Sequence, residues 1–185
     1  MGFKLQGIKE LYHGSPVQVA HPDVYFSGTR NDFGRGFYLF PNREDAYDWA
    51  LIKKRRTGSD EAFVSRYGLR LSATNLSYYS FDSNDADDLL NWIKFVVFNR
   101  DYTNIIAANP LGEGVFDMII GPVANNKLAE AFNLLVTGRI PGRSLDEVLM
   151  NFLPYIKYER LDNQICIKTK QGEKALEYFR AEKCW

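Results

Sequence analysis

Short apolar runs that end at glycine or proline alternate along this sequence with longer segments of helical period, and this alternation limits the fold more than any other feature. Strands are predicted over residues 10–13, 36–40, 62–72, 78–81, 115–120 and 163–169. Helices are predicted over residues 42–56, 85–100, 125–136, 144–150 and 172–180. This mixture of elements predicts an α+β fold.

The beginnings of three helices carry capping residues. Asn42 stands before the first helix, where its side chain is a good N-cap. Acidic residues crowd the first turn of the helix over residues 85–100, where they complement the helix dipole. Ser144 and Glu147 have the spacing of a capping box.

The composition adds expectations about the sheet and the number of domains. Aromatic residues make up 15% of the 185 residues, and because flat side chains pack well on a pleated surface we expect more strand than helix. Strands 62–72 and 78–81 are expected to be neighbours in one sheet. No internal repeat or low-complexity segment interrupts the chain, so residues 1–185 are expected to form a single domain.

The balance of charges excludes long-range electrostatic attraction as the means of binding a partner. The 23 basic and 23 acidic residues cancel, so no overall field draws the protein to nucleic acid or to an anionic membrane. The basic run over residues 53–56 is typical of an exposed helix end. If the partner were a nucleic acid, this run would be the place for phosphate contacts.

The cysteines, histidines and apolar segments exclude other classes. Two Cys and two His residues have no metal-ligand spacing, so no metal site is expected. Cys166 is expected to be a small core residue. The first residues do not form the apolar stretch of a secretion signal, and no run of about eighteen apolar residues occurs. We therefore expect a cytoplasmic protein without a membrane partner.

Three separated fragments contain residues suited to chemistry: residues 11–15 (Leu-Tyr-His-Gly-Ser), residues 32–38 (Asp-Phe-Gly-Arg-Gly-Phe-Tyr) and residues 162–164 (Asp-Asn-Gln). The His-Gly-Ser string resembles the first motif of poly(ADP-ribose) polymerases. The Gly-Phe-Tyr string, followed by a helix with Ala46 and Trp49, resembles the second motif of diphtheria-toxin-type transferases. The order and spacing of the fragments are similar to those of the ADP-ribosyltransferase superfamily.

The whole layout, from about Leu11 to Tyr178, is also similar to an uncharacterised bacterial domain family that is assigned to this superfamily. Its marks here are the string over residues 32–38 and the Gly-Pro-Val-Ala segment over residues 121–124. The resemblance implies a split β-sheet core with flanking helices and NAD as the substrate. It also implies a toxin of a toxin–antitoxin pair, with a small helical antitoxin protein as partner.

The resemblance implies a role for each motif residue. His13 would bind the adenosine ribose of NAD, and Gly14 would offer its backbone N–H and C=O to the nicotinamide carboxamide. Tyr38 and Trp49 would stack on the nicotinamide ring. The remaining residues expected around the cofactor are Tyr12, Ser15, Phe33, Gly36 and Phe37.

Gln164 stands where the superfamily usually has a catalytic Glu, so that His13, Tyr38 and Gln164 are the expected catalytic residues. Glutamine keeps the hydrogen bonds but not the charge that stabilises an oxocarbenium-like ribose. At about 4 Å and an effective dielectric of about 20, a charge pair is worth on the order of 4 kcal/mol, or roughly a thousandfold in rate. Asp162, Glu159 or a carboxylate of the acceptor could supply the missing charge.

The resemblance leaves more than one function open. The leading expectation is an NAD-dependent mono-ADP-ribosyltransferase that modifies a macromolecular acceptor, either protein or nucleic acid. The alternative is a catalytically inactive member of the fold that binds NAD or a partner protein. A third reading is NAD glycohydrolysis, with water as the acceptor.

Overall fold

The computed structural model describes residues 7–70, 75–100, 108–124, 126–157 and 162–185. The strands are β1 (Glu10–Ser15), β2 (Phe37–Leu39), β3 (Phe63–Leu69), β4 (Tyr78–Ser80), β5 (Met118–Pro122), β6 (Asn163–Ile167) and β7 (Leu176–Lys183). The helices are α1 (Arg43–Thr57), α2 (Ala86–Asn99), α3 (Asn126–Val136), α4 (Leu145–Phe152), α5 (Pro154–Lys157) and α6 (Lys170–Glu173). The fold is α+β, which confirms the predicted class.

In the described part of the chain the strands form two sheets, which are joined by an isolated bridge. The first sheet has the order β1-β3-β7 and is antiparallel throughout. The second has the order β2-β6-β5-β4, in which only the β4–β5 pair is parallel. An isolated bridge between Tyr12 and Phe40 joins the two sheets where β1 passes the end of β2.

Three apolar clusters explain how the layers hold together. One cluster contains side chains of β1, β2, β3, β5 and β6, among them Leu11, Leu39 and Ile165. A larger cluster covers the other face of β5 and β6 with α2, α3 and α4. The third packs α1 on the first sheet through Ala46 and Ala50. Helices therefore cover the sheets on the side away from the shared apolar layer.

Two capping residues predicted from the sequence begin helices, and a third helix begins at a cap that was not predicted, Asp85. Asn42, Asp85 and Ser144 are the N-caps of α1, α2 and α4, and each side chain accepts a backbone N–H of the first turn. In a regular capping box the carboxylate of Glu147 would accept the backbone N–H of the N-cap, Ser144. Here it accepts the N–H of the preceding residue, Arg143, over 2.8 Å.

The helix predicted over residues 172–180 is wrong. Residues 176–183 form β7, which pairs with β3 over its whole length, while α6 occupies only Lys170–Glu173. The residues of this segment favour a helix in isolation, but β3 offers them an edge to pair with. Tyr178 also packs edge-on against Tyr67, with 5.8 Å between the ring centroids. Tertiary pairing thus overrides local propensity.

Two further expectations about the sheets are wrong. Strands β3 and β4 are not neighbours, because β3 lies at the centre of the first sheet and β4 at the edge of the second. Helices also hold more of the described residues than strands do. Aromatic side chains such as Trp92, Phe95 and Phe132 lie in helices of the large cluster, so aromatic content did not distinguish the two element types.

None of the helices in the described part of the chain combines the length and the apolar character that crossing a membrane needs.

Candidate functional site

The two sheets separate where an antiparallel ladder between β1 and β2 stops after one pair. Tyr12 and Phe40 exchange both backbone hydrogen bonds, at 2.9 and 2.7 Å. On the other side of the strand, Leu69 donates to the carbonyl of Lys9, so the odd-numbered residues of β1 bond to β3. The backbone N–H and C=O of Gly14 consequently point away from β3 and towards β2.

His13 takes the acceptor that a continued ladder would give to Gly14. The next pair of a regular antiparallel ladder would join Gly14 to Tyr38. Instead, Nδ1 of His13 lies 2.7 Å from the Tyr38 carbonyl oxygen, to which it donates. The backbone N–H and C=O of Gly14 form no hydrogen bond with another described residue on this side. Within the described part of the chain they are a donor and an acceptor without a partner at a buried residue.

The imidazole of His13 is held in one tautomer. It stacks on Phe37, with 4.4 Å between the ring centroids, and burial lowers the pKa of His13 to about 4. The ring is therefore neutral at pH 7. Because Nδ1 donates to a carbonyl, Nε2 carries no proton and is an acceptor.

Gly14 is also the point at which α1 lies closest to β1. A Cβ atom at this position would lie 2.0 Å from the carbonyl oxygen of Ala46 and 2.8 Å from the nitrogen of Ala50. Only a residue without a side chain fits between the strand and the helix. The glycine thus sets the close packing of α1 on the first sheet.

The ring of Tyr38 is held in place by two hydrogen bonds of its hydroxyl group. Its hydroxyl donates to the Gly34 carbonyl over 2.6 Å and accepts the Phe33 N–H over 3.0 Å. Burial raises the pKa of Tyr38 well above its usual value, so the phenol does not ionise. Its role is therefore limited to packing and orientation.

The three residues expected to be catalytic are not all on one face of the second sheet. Tyr38 pairs with Cys166 in register, and since residues two apart on a strand share a face, Gln164 lies on the same face as Tyr38. His13 stacks on Phe37, which projects from the opposite face. His13 therefore contacts the main-chain carbonyl of Tyr38, whereas the side chains of Tyr38 and Gln164 project from the same face of the second sheet.

Gln164 is 5% exposed and its amide is oriented by two acceptors. Its Nε2 donates to Oδ2 of Asp32 over 2.8 Å and to the Pro122 carbonyl over 3.2 Å. Both amide protons are therefore used, and this pattern identifies which terminal atom is nitrogen. The Oε1 atom remains as an acceptor.

Asp32 is the centre of this polar network, and the sequence analysis did not single it out. Its Oδ1 accepts from Nε of Arg100 over 3.0 Å, and its Oδ2 accepts the Ala124 N–H over 3.0 Å. The string over residues 32–38 and the segment over residues 121–124 therefore meet at one carboxylate. A buried carboxylate needs such partners, and its place at the start of the first string was the available clue.

Trp49 lies on α1 and is half-buried. Its indole packs against the cluster that contains Phe40 and Ala50. Two cations, Nζ of Lys53 and Cζ of Arg56, each lie 5.5 Å from the centre of the indole ring. A ligand that stacked on this ring would displace one of them.

The other residues expected around a cofactor have partners within the protein. The hydroxyl of Tyr12 donates to Glu10, and that of Ser15 donates to the Val17 carbonyl. Phe33 is fully buried and Phe37 is 6% exposed. These phenylalanines face the interior and not a ligand.

The glycine before β2 approaches protein instead of an open cleft. A Cβ atom on Gly36 would lie 2.4 Å from Sγ of Cys166 and 2.6 Å from the Ile167 carbonyl oxygen. Gly36, which was expected around the cofactor, therefore lies against β6. Cys166 itself is buried, as predicted, and burial raises its pKa to about 12.

The carboxylates considered as a substitute for glutamate do not join this network. Asp162 is exposed and precedes β6, and its carbonyl accepts the Val123 N–H over 2.8 Å. Glu159 lies outside the described residues. The carboxylate that does contact Gln164 is that of Asp32.

A cleft of about 230 Å³ lies away from this junction. It is lined by Phe95, Asn99, Asn109, Leu111, Gly114, Val115, Phe116, Ile119, Lys168 and Thr169. None of the residues predicted for the site lines it. Among the described residues, no three His, Cys, Asp or Glu side chains gather as metal ligands would.

Comparison with known proteins gives a family but no characterised relative. Neither the curated proteins nor the solved structures that were searched contain a match to this chain. A family model described as a protein of unknown function, DUF3990, matches residues 9–178, which include β1, the Asp32 network and the beginning of β7. The chain therefore belongs to the DUF3990 family.

Proposed function

We propose that this protein transfers ADP-ribose from NAD to a macromolecular acceptor, either protein or nucleic acid. The observation that carries the proposal is the free N–H and C=O of Gly14 at the break between β1 and β2. More than nine in ten buried backbone polar groups in folded proteins have a partner. A donor and an acceptor left side by side at a buried position therefore favour a ligand that supplies both.

A primary carboxamide is the simplest group with that complement, because its N–H donates beside the oxygen that accepts. The nicotinamide end of NAD carries such a group. Trp49 follows Asp48 on α1 and precedes Ala50, whose backbone nitrogen approaches Gly14, and an indole ring at that position suits a flat heterocycle. The Nε2 atom of His13 is an acceptor for a ribose hydroxyl.

In the proposed reaction the bond between C1′ of the ribose and the pyridinium nitrogen breaks. Its electron pair leaves with neutral nicotinamide, and a nucleophilic atom of the acceptor forms the new bond to C1′. The proton of the acceptor passes to solvent. In the transition state the ribose carries positive charge, and the role that the resemblance gives to Gln164 is to stabilise this charge through the partial negative charge of its Oε1 atom.

A second candidate is an NAD-binding protein without turnover. The observation that favours it is the charge balance of the network, in which Gln164 is neutral and Asp32 is paired with Arg100. A site without a net negative charge stabilises an oxocarbenium-like ribose less. NAD glycohydrolysis, with water as the acceptor, differs from transfer only in the nucleophile.

Two measurements test the proposal. The first compares the Kd of NAD with that of nicotinic acid adenine dinucleotide, whose carboxylate cannot donate to the Gly14 carbonyl. We expect the acid to bind at least about tenfold more weakly, the effect of one lost hydrogen bond and a like-charged contact. Equal affinities would remove the basis of the proposal.

The second measurement incubates the protein with NAD labelled in the adenylate phosphate and with cell lysate. Label on protein or on nucleic acid supports transfer and identifies the acceptor class. Release of free ADP-ribose supports glycohydrolysis instead. Binding of NAD without release of nicotinamide supports the protein without turnover.

A further inference from the structure

We propose that Lys53 binds the diphosphate of the dinucleotide, with its ammonium moving from the indole of Trp49 to the phosphate oxygens. This inference rests on the proposed function and adds to it the residue that binds the diphosphate, the charged group in the middle of the ligand. It follows from the position of Lys53, from its contacts and from the partner that it lacks.

Lys53 lies beside the candidate site. Ala50, whose backbone nitrogen approaches Gly14, precedes it by three residues, a rise of about 4.5 Å along α1. The ammonium lies over Trp49, and its charge helps to lower the pKa of His13. With its flexible stem, Lys53 can reach a group about one ribose away from Gly14.

Lys53 has no carboxylate partner among the described residues. Among the other lysines, Lys94 pairs with Asp146, Lys170 with Asp23 and Lys183 with Glu61. Lys9, Lys54 and Lys174 have no ion pair among the described residues either, and Lys53 differs from them in lying over Trp49, beside the candidate site. Lys168 donates to the carbonyls of Phe33 and Arg35.

Lys53 is half-buried, and the cation nearest to it is Arg56. Burial and the charge of Arg56 together lower the pKa of Lys53. A partly desolvated ammonium next to a second cation is stabilised by an anion.

The chemistry of the ligand supplies that anion at a suitable distance. If the carboxamide of NAD occupies Gly14, its ribose and then its diphosphate extend away from the strand. A lysine ammonium is a compact charge with three rotatable donors, well suited to phosphate oxygens. Its contact with an indole is weak at a partly exposed site, so phosphate can replace it.

The test measures three ligands by titration calorimetry in the wild-type protein and in Lys53→Gln. The ligands are NAD, nicotinamide riboside, which has no phosphate, and inorganic pyrophosphate. We expect the substitution to weaken NAD and pyrophosphate by about tenfold or more, the loss of one charged hydrogen bond. Affinity for nicotinamide riboside should change by less than twofold.

Lys54→Gln is the matched control. It removes the same charge from the neighbouring residue, whose field acts on Cys184 and not on His13. It should leave all three affinities within twofold of the wild type, and the two variants should have similar melting temperatures.

The outcomes separate this proposal from the proposed function. An equal loss of NAD and nicotinamide riboside affinity in Lys53→Gln, or no loss of either, would overturn the role of Lys53. If the wild-type protein binds no NAD, the proposed function fails. In that case, pyrophosphate binding by the wild type that Lys53→Gln abolishes would still support an anion site at Lys53. If the wild type did not bind pyrophosphate either, the anion site would be overturned too.

Discussion

Nε2 of Gln164 donates to Oδ2 of Asp32 over 2.8 Å, inside a part of the fold where Gln164 is 5% exposed. An ionised glutamate at position 164 could not make this bond, because it has no proton to donate to the carboxylate. The fold around Asp32 is therefore built for an amide, although the superfamily that the sequence resembles usually has a carboxylate there.

Gln164→Glu should destabilise the protein and should not increase transfer. A second carboxylate beside Asp32 and the Pro122 carbonyl is repelled, so we expect a loss of about 3 kcal/mol in the free energy of unfolding at pH 8. The folded protein raises the pKa of the new carboxyl above its unfolded value, and the loss is therefore smaller at pH 5. Urea unfolding at both pH values measures it.

Gln18→Glu is the control for this prediction, because Gln18 is exposed in the connection before β2. It should change the free energy of unfolding by less than about 0.5 kcal/mol. A Gln164→Glu variant as stable as the wild type at pH 8 would show that the amide does not donate to Asp32 in solution.

Asp32→Asn should destabilise the fold by about 3–5 kcal/mol, because it leaves Arg100 without its buried counter-charge. In the wild type, Oδ2 of Asp32 accepts hydrogen bonds from the Ala124 N–H and from Nε2 of Gln164. An asparagine whose oxygen faces Arg100 would place its own N–H group against these two donors. Thermal unfolding measures the effect. Asp146→Asn removes a carboxylate that is 86% exposed, so a comparable loss in that control would mean that the buried network is not the cause.

Gly14→Ala should be tolerated much less well than Gly28→Ala. The added methyl group at position 14 meets the backbone of α1, whereas a Cβ atom at Gly28 has no atom within 4 Å. We expect a loss of about 2–3 kcal/mol for the first change and a change within about 0.5 kcal/mol for the second. Similar melting temperatures for the two variants would contradict the close packing of α1 on β1.

The neutral imidazole of His13 should make stability depend on pH. Its pKa falls from 6.5 to about 4 on folding, so the unfolded chain binds the proton more tightly. The associated stability is complete above pH 6.5 and is lost as the pH falls to about 4, a change of about 3 kcal/mol.

His13→Asn tests this dependence, since its side-chain N–H can still donate to the Tyr38 carbonyl but does not titrate. Unfolding free energies measured between pH 4 and pH 7 should be flatter for this variant than for the wild type. His21→Asn, at an exposed position, should leave the wild-type slope unchanged. If His21→Asn and not His13→Asn flattened the change of the unfolding free energy with pH, the His13 imidazole would not be buried in solution.

Local chemistry in the sequence predicted much of the fold. The caps at Asn42 and Ser144 depend on a few neighbouring residues, and the structure confirms them. The strand β7 was missed because it exists only through its pairing with β3, more than one hundred residues earlier in the chain. Periodicity within a segment carries no information about a distant partner.

The candidate site divides in the same way. The motifs identified His13, Gly14 and Tyr38, and the strands predicted over residues 10–13 and 36–40 contain His13 and Tyr38. The first strand was predicted too short, because β1 continues through Gly14 to Ser15. The partnership of Asp32 with Arg100 and Gln164 joins residues 68 and 132 positions apart. Each of these residues is unremarkable in its own segment, so only the folded chain reveals that they share one network.

The break between β1 and β2 is small and is covered by α1, which has a consequence for association with other chains. An open strand edge with a row of free main-chain groups recruits further strands and leads to aggregation. Here the gap is about one residue long, and the helix lies against it at Ala46 and Ala50. Such a gap is too short and too sheltered for another polypeptide to add itself to the sheet.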